Sequence, residues 1–195
     1  MTSVAIGVLL ASLMFATLPR GAASAKAPKI LCGGKVATIA TNGRTIYGTA
    51  GDDVIVVLGT EPHTVFALAG DDIVCGAVGQ DAIYGGPGND RIDGRQGNDV
   101  IDGEEGDDLI FGNNGDDSIN GSIGRDVLFG LNGGDRLVGA SGDDFLFGGN
   151  GNDYLEGGAG ADLIVGGEGS DALVSIESAD LVFDPDPVGL PVKRE

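Results

Sequence analysis

The sequence predicts an all-β solenoid, in which short parallel strands coil around a narrow core with two nonapeptides in each turn. Residues 67–174 of the 195-residue chain divide into twelve nonapeptides without an insertion, and every unit has Gly at position 4 and Asp at position 6. Position 8 is always Val, Ile or Leu between variable neighbours, which indicates a short strand with one inward side chain. The 37 glycines and the missing 3.6-residue period exclude amphipathic helices.

Each position of the unit has a physical role in this prediction. Positions 1 and 4 are expected to be Gly because tight turns need a positive φ, which a Cβ penalises. Positions 7 to 9 are expected to be extended, with position 8 inward and positions 7 and 9 outward. The Asp at position 6 follows the turn, so its carboxylate and the turn carbonyl oxygens converge. Since one turn takes eighteen residues, each Asp is expected to stack on the Asp two units further along.

The repeat also predicts the organisation of the whole chain. The expected regions are a signal peptide, an N-terminal cap with a degenerate repeat, the solenoid, and a C-terminal cap with a tail, at residues 1–25, 26–47, 48–174 and 175–195. The signal peptide is expected because a mostly apolar run at residues 4–18 precedes the cleavage pattern Ala23-Ser24-Ala25. A buried N-terminal helix is the alternative for this segment.

The charge balance indicates what the chain binds. Asp and Glu number 30 and Lys and Arg 11, for a net charge of −19. Nucleic acid is excluded as a partner because phosphate binding needs clustered Lys and Arg, and an anionic membrane surface is disfavoured for the same reason. Multivalent cations are the expected partners. The one histidine, His63, lies in a degenerate unit at residues 57–66 with no ligand pattern around it and is expected to be a loop histidine.

The predicted ligands favour Ca²⁺ over other cations. Carboxylate and carbonyl oxygens suit Ca²⁺, which accepts six to eight of them, whereas Mg²⁺ needs a tighter octahedron and zinc prefers His or Cys. The candidate metal ligands are Asp53 in an upstream unit and the position-6 residues Asp72, Asp81, Asp90, Asp99, Asp108, Asp117, Asp126, Asp135, Asp144, Asp153, Asp162 and Asp171. Stacked two units apart, they provide at most about eleven sites between turns.

Folding is expected to depend on these ions. The core is thin and rich in Gly, and the Asp columns place like charges one strand spacing apart. The chain without its cations is therefore expected to be largely disordered, with binding coupled to folding. The C-terminal end, which has complete turns and a cap to pack on, is expected to nucleate the fold.

The two cysteines, Cys32 and Cys75, form an even pair. In an exported chain a disulfide between them is expected, with two thiols as the alternative. It would close a segment of the N-terminal end, where the repeats are least regular.

The units resemble the hemolysin-type, or repeats-in-toxin (RTX), calcium-binding nonapeptide G-G-x-G-x-D-x-U-x. Complete GGxGxD matches stand at residues 85–90, 148–153, 157–162 and 166–171. The resemblance implies a right-handed parallel β-roll that binds Ca²⁺ between successive turns through the position-6 Asp and loop carbonyls. The chain is also similar to short secreted calcium-binding proteins of actinobacteria.

The expected function is that of a secreted, extracellular calcium-binding protein, monomeric and without membrane insertion. The alternative is a Ca²⁺-ordered adhesion module associated with the cell envelope or matrix. A calcium-dependent hydrolase is least favoured, because neither H-E-x-x-H nor G-x-S-x-G occurs in the sequence. The chain is therefore not expected to be an enzyme.

Overall fold

The computed structural model describes residues 29–175, 179–184 and 193–194, so the predicted signal peptide and most of the tail lie outside the described residues. The described regular structure is entirely β. Its strands are Leu31–Cys32 (β1), Lys35–Val36 (β2), Ile39–Thr41 (β3), Thr45–Tyr47 (β4), Val54–Val57 (β5), Thr64–Phe66 (β6), Ile73–Cys75 (β7), Ala82–Pro87 (β8), Arg91–Gln96 (β9), Val100–Glu105 (β10), Leu109–Asn114 (β11), Ser118–Ile123 (β12), Val127–Asn132 (β13), Arg136–Ser141 (β14), Phe145–Asn150 (β15), Tyr154–Ala159 (β16), Leu163–Glu168 (β17), Ala172–Ser175 (β18), Leu181–Phe183 (β19) and Lys193–Arg194 (β20). Across these residues the structure contains no helix long and apolar enough to cross a membrane.

The strands alternate between two parallel sheets, the odd sheet from β3 to β19 and the even sheet from β4 to β20. Neighbours within a sheet are two strands apart in sequence, so each turn of the chain contributes one strand to each sheet. In the regular part the register is shifted by eighteen residues, as when Ile101 pairs with Ile83 on one side and with Ile119 on the other. The predicted all-β solenoid with two nonapeptides per turn is therefore confirmed.

The core is a double file of position-8 side chains between the two sheets. These residues are 0–3 % exposed: Val74, Ile83, Ile92, Ile101, Ile110, Ile119, Leu128, Leu137, Leu146, Leu155, Ile164 and Leu173. Their burial follows from strand alternation, because positions 7 and 9 of the same strands face outward. The stack extends beyond residues 48–174, with β3 and β4 at its N-terminal end and β19 at its C-terminal end.

The glycine at position 1 has a different cause from the one expected. Positive φ occurs at positions 2 and 4, for example 72° at Glu104 and 136° at Gly106, whereas the position-1 residue Gly103 has no positive φ. A Cβ on Gly103 would instead collide with the carboxylate of Asp108 in the same unit. The prediction of positive φ was thus right for position 4 and wrong for position 1, where Gly makes room for the aspartate.

The N-terminal end has a cover of its own. Strands β1 and β2 form an antiparallel hairpin, and a disulfide joins Cys32 of β1 to Cys75 of β7, as expected. The two cysteines, with Val54, Val56 and Ile73, form a second buried cluster. The outer face of the odd sheet is therefore buried here, although it is open further along.

Candidate metal sites

The position-6 aspartates form two buried columns, one along each edge where the chain passes between the sheets. Each of the predicted residues from Asp53 to Asp171 is at most 6 % exposed. In the regular turns the carboxylate Oδ1 accepts a hydrogen bond from the main-chain N–H of the aspartate eighteen residues earlier, as Asp108 does from Asp90 at 2.8 Å. The columns therefore hold successive turns together, and the structure brings the predicted candidates into the stacks that the sequence predicted.

The second carboxylate oxygen of most of these aspartates has no donor. Within the described residues, the buried Oδ2 atoms without a hydrogen-bond partner include those of Asp72, Asp90, Asp99, Asp108, Asp117, Asp126, Asp135, Asp144 and Asp153. A buried carboxylate oxygen without a partner is costly, because it has lost water and gained nothing in exchange. This repeated deficit is the main chemical feature of the molecule.

Main-chain carbonyls lie beside these oxygens. The point at which a Cβ of Gly85 would stand is in contact with Asp90 Oδ2 and is 2.7 Å from the carbonyl oxygen of Gly103, one turn further along. The same arrangement recurs at Gly139, with Asp144 Oδ2 and the Gly157 carbonyl 2.5 Å away. Position-1 Gly therefore opens a space that is reached both by the carboxylate of its own unit and by a carbonyl of the next turn.

The columns hold their charge at an electrostatic cost. Burial is the largest cause that raises the pKa of Asp108, to about 8, with the neighbouring Asp126 and Asp90 adding to it against a hydrogen bond from the Asp90 amide. Burial likewise raises the pKa of Asp117 to about 7 and that of Asp153 to about 6. A positive charge nearby would favour the ionised form of these carboxylates at neutral pH, most of all at Asp108.

The first aspartate of each column differs from the rest. Asp53 Oδ1 accepts from the Thr38 hydroxyl at 2.9 Å, and its Oδ2 accepts from the Thr49 amide at 2.7 Å and hydroxyl at 2.9 Å. Asp81 Oδ2 accepts from the Ala77 amide at 2.8 Å, and its Oδ1 lies 2.9 Å from both the amide and the Nδ1 of His63. Both carboxylates are therefore saturated by the protein itself.

His63 lies in the loop between β5 and β6, as expected of a loop histidine, but it is buried. It is 4 % exposed and occupies the place of the missing aspartate eighteen residues before Asp81. Its spacing from Asp81 was the available signal, but the ten-residue unit at 57–66 interrupts the nonapeptide count and hides it.

Sequence reasoning also missed Asp180. The amide of Asp162 donates to Asp180 Oδ1 at 3.2 Å, so Asp180 continues one column beyond the last predicted candidate. It lies nine residues after Asp171, and Val182 follows at position 8. Counting one more period would have found it, although Ser replaces Gly at positions 1 and 4 of that unit.

A second set of side chains supports the turns from outside. Exposed Asp and Asn residues at position 5 accept from the amide eighteen residues later, as Asn89 does from Asp107 at 2.8 Å. The acceptors are Asp52, Asp71, Asn89, Asn98, Asp107, Asp116, Asp143 and Asn152. The amides of Arg125 and Gly134 donate such a bond, but neither residue has a side-chain acceptor for the amide of the next turn.

The donor set fits a hard cation. All candidate ligands are oxygens, and the buried Oδ2 atoms are anionic and lack donors. Within the described residues, no three His, Cys, Asp or Glu side chains converge on one point. A cation between the turns would therefore be held by carboxylates together with several main-chain carbonyls, which is the mixture that Ca²⁺ accepts.

Fold and site together define a parallel β-roll whose turns present buried carboxylates and carbonyls to a cation. The model of the RTX calcium-binding nonapeptide repeat (4 copies) matches residues 41–57, 64–83, 76–110, 84–119, 102–137, 111–146 and 138–173, well over half of the chain. The chain belongs to this family. No curated protein matches the sequence.

Proposed function

We propose that this protein is a secreted calcium-binding β-roll that folds when it binds several Ca²⁺ ions between its stacked turns. The observation that carries the proposal is the series of buried Oδ2 atoms without donors beside main-chain carbonyls. A bound Ca²⁺ supplies two positive charges to these oxygens and so offsets both their desolvation and their mutual repulsion. The aspartates and position-1 carbonyls hold the ion, while the core file fixes the spacing between turns.

The charge balance supports a large number of sites. Eleven ions at the predicted maximum would bring +22, against −20 for the chain after the proposed removal of residues 1–25. The raised pKa values point the same way, because the folded columns are electrostatically unfavourable at neutral pH unless cations bind. Folding and ion binding are therefore coupled in this proposal.

Secretion is supported by two independent features of the chain. The apolar run at residues 4–18 with its cleavage pattern fits an export signal, and the Cys32–Cys75 disulfide fits an oxidising compartment. Calcium modules outside cells work at dissociation constants of about 10⁻⁴–10⁻³ M, so the roll would fold after export. N-terminal sequencing of protein recovered from the culture medium is expected to begin at Lys26.

A calcium titration tests the proposed function. Far-UV circular dichroism of the disulfide-intact protein is expected to show mostly coil in chelator and a β spectrum in millimolar Ca²⁺. Mg²⁺ at the same concentration is the control and is expected to restore much less structure, because it requires a stricter octahedron and retains its water. A full β spectrum in chelator would overturn the proposal.

One observation favours association with a surface as a second function. From β11 onward the outward positions of the odd sheet are all apolar: Leu109, Phe111, Val127, Phe129, Phe145, Phe147, Leu163, Val165, Leu181 and Phe183. The even sheet presents residues such as Asp102, Asn120 and Arg136 instead. If the apolar face binds the cell envelope, Phe129→Ser is expected to lower calcium-dependent retention on envelope preparations, while Asn120→Ser is not.

A further inference from the structure

We propose that the N-terminal turns, up to and including unit 76–84, fold without Ca²⁺, because hydrogen-bond donors of the chain take the place of the cation there. The inference rests on the proposed function for the rest of the roll. It divides the molecule into a cation-independent end, residues 31–84, and a cation-dependent roll that begins at residue 85.

The turns adopt two conformations that differ at position 2. In the units that begin at Gly48 and Gly76, the position-2 amides of Thr49 and Ala77 donate to Oδ2 of the aspartate in the same unit. In the later units position 2 has a positive φ, for example 78° at Arg95, and its amide makes no such bond. We call the first kind donor turns, because a main-chain amide donates to the carboxylate. We call the second kind acceptor turns, because main-chain carbonyl oxygens lie beside the carboxylate instead.

Side chains complete the donor turns. Asp53 Oδ1 is bound by the hydroxyl of Thr38, which precedes the column, and Asp81 Oδ1 is bound by His63. In the acceptor turns the corresponding oxygen is bound by the amide of the preceding aspartate in the column. Thr38 and His63 on Oδ1, together with the position-2 amides on Oδ2, give both oxygens of Asp53 and Asp81 donors without an ion.

Packing adds stability to the same end. The hairpin of β1 and β2 covers the outer face of β5 and β7, where Val54, Val56 and Ile73 are at most 8 % exposed. The disulfide fastens that cover and reduces the entropy of the unfolded segment between the cysteines. The later turns have the double file of position-8 core residues and no comparable second cluster among the described residues.

One carboxylate oxygen in this end still lacks a donor. Asp72 lies in the acceptor turn of unit 67–75, and its Oδ2 has no partner. Donor turns with saturated aspartates, Asp53 and Asp81, lie on both sides of it in sequence. A single unmet carboxylate oxygen is a smaller deficit than the series from Asp90 to Asp153, so the end is expected to tolerate it without an ion.

Such an end would act as a template. Before the roll folds, the edges of β7 and β8 would be open and would offer main-chain N–H and C=O groups. Strands β9 and β10 of the first cation-dependent turn would then pair with them. The complete turns at residues 148–171 favour nucleation at the other end, whereas the hydrogen bonds at Asp53 and Asp81 favour growth from the N-terminal end. The two orders predict different exchange patterns at partial Ca²⁺ occupancy.

Hydrogen–deuterium exchange of the full-length, disulfide-intact protein tests this inference. In chelator, amides of residues 39–84 are expected to exchange at least about tenfold more slowly than those of residues 99–174, and Ca²⁺ is expected to protect both. At substoichiometric Ca²⁺, protection is expected to spread from residue 85 toward the C-terminal end.

Two variants separate the donors from general packing. His63→Ala and Thr49→Val each remove one side-chain donor and leave the main-chain amides in place, and each is expected to reduce the protection of residues 39–84 in chelator. Asp117→Asn, far from the donor turns, is the matched control and is expected to leave that protection unchanged. Saturating Ca²⁺ is expected to keep residues 99–174 protected in all three variants.

The outcomes distinguish this inference from the proposed function. If Ca²⁺ protects the roll but residues 39–84 exchange as fast as the rest in chelator, the N-terminal inference fails and the proposed function stands. If residues 99–174 are equally protected with and without Ca²⁺, the proposed function fails. If either donor variant keeps its chelator protection, that donor is not a substitute for the cation.

Discussion

Units 76–84 and 112–120 place a buried aspartate at the same position of the repeat, yet the protein treats the two carboxylates differently. Asp81 is bound by Ala77 and His63, and both its oxygens are saturated. Asp117 accepts one amide hydrogen bond, from Asp99, and its other oxygen is buried without a donor. The nonapeptide pattern therefore specifies where a carboxylate lies, and the backbone at position 2 specifies whether it needs a cation.

This difference has a simple structural origin. At Asn113, position 2 of unit 112–120, φ is 79°, and the amide turns away from Asp117. Ala77 has no positive φ, and its amide points at Asp81. The left-handed conformation costs a non-glycine residue about 1–2 kcal/mol, so an acceptor turn without Gly at position 2 carries strain that ion binding must offset.

The largest effect that separates the two regions is expected from pH in metal-free buffer. In the regular roll, burial above all raises the pKa of Asp90 to about 7 and that of Asp108 to about 8, from 3.8. A carboxyl with a raised folded pKa contributes stability below its unfolded pKa and loses it as the pH rises through the folded one. Circular dichroism is therefore expected to show metal-free β structure increasing from pH 8 to pH 5.

Asp53 in the N-terminal end is expected to respond with the opposite sign, whereas Asp72, whose pKa burial raises to about 6, responds as the roll does. Burial raises the pKa of Asp53, but hydrogen bonds from Thr49 and Thr38 outweigh it and hold the pKa below 3.8. The stability that Asp53 contributes is thus present above its unfolded pKa and is lost as the pH falls through its folded pKa.

With Ca²⁺ bound to the roll, protons compete with the ion for the carboxylate ligands, so the Ca²⁺ midpoint rises on acidification. A metal-free roll that loses β structure from pH 8 to pH 5 would contradict this picture.

A pair of glycine substitutions gives the next largest contrast. Gly115 and Gly51 both stand at position 4, but Gly115 has φ 130° and its added Cβ would meet the Gly97 carbonyl group, whereas nothing lies within 4 Å of a Cβ on Gly51. Gly115→Ala is expected to lower the free energy of unfolding in Ca²⁺ by about 3 kcal/mol or more. Gly51→Ala is expected to change it by less than about 0.5 kcal/mol.

Urea denaturation in saturating Ca²⁺ measures both variants. The two glycines are expected to differ in cost because Gly115 has a positive φ and lies against the Gly97 carbonyl, whereas Gly51 has neither feature. Equal losses at Gly115 and Gly51 would show that position 4 has the same backbone in both kinds of turn.

A pair of aspartate substitutions separates the ion from the hydrogen bonds. Asp117→Asn removes a charge from a candidate calcium ligand and is expected to raise the Ca²⁺ midpoint roughly tenfold. Asp53→Asn is expected to leave the midpoint nearly unchanged. It is expected to lower stability in chelator by about 1–3 kcal/mol, because an amide nitrogen cannot accept from Thr49.

Calorimetric Ca²⁺ titration and urea denaturation in chelator provide the two readouts. A midpoint shift for Asp53→Asn as large as that for Asp117→Asn would mean that Asp53 is a cation ligand, as the sequence alone suggested. It would also end the division of the molecule into donor and acceptor turns.

Much of the architecture could be predicted because it depends on period alone. The nonapeptide count placed Ile83, Ile101 and Leu128 in the buried core, and the eighteen-residue turn placed Asp90 beside Asp108. These features need only strand alternation and parallel stacking, which every unit satisfies in the same way. The disulfide followed from the cysteine count together with the expected export.

The rest depends on contacts between turns that no single unit contains. Ala77 and Ala140 are the same residue at the same position, yet only Ala140 has a positive φ. The role of His63 arises from Asp81 one turn further along, and position-1 Gly faces a carbonyl of the next turn as well as the carboxylate of its own unit. A consensus that describes each unit separately cannot contain these relations.

The smallest expected effect has opposite signs in the two kinds of turn. Ala140→Gly relieves a left-handed conformation at 78°, which costs alanine about 1–2 kcal/mol, and adds an entropic loss of about 0.5–1 kcal/mol, so a net gain of roughly 0.5–1 kcal/mol is expected. Ala77→Gly relieves nothing. Ala77 is 3 % exposed, so its methyl group is lost from the core as well, and a loss of about 1–2 kcal/mol is expected. Urea denaturation in Ca²⁺ detects both changes, with local exchange at residues 76–84 as a second readout for Ala77→Gly. Since the two variants share residue type, substitution and position in the repeat, changes of the same sign would mean that the backbone at position 2 does not distinguish the turns.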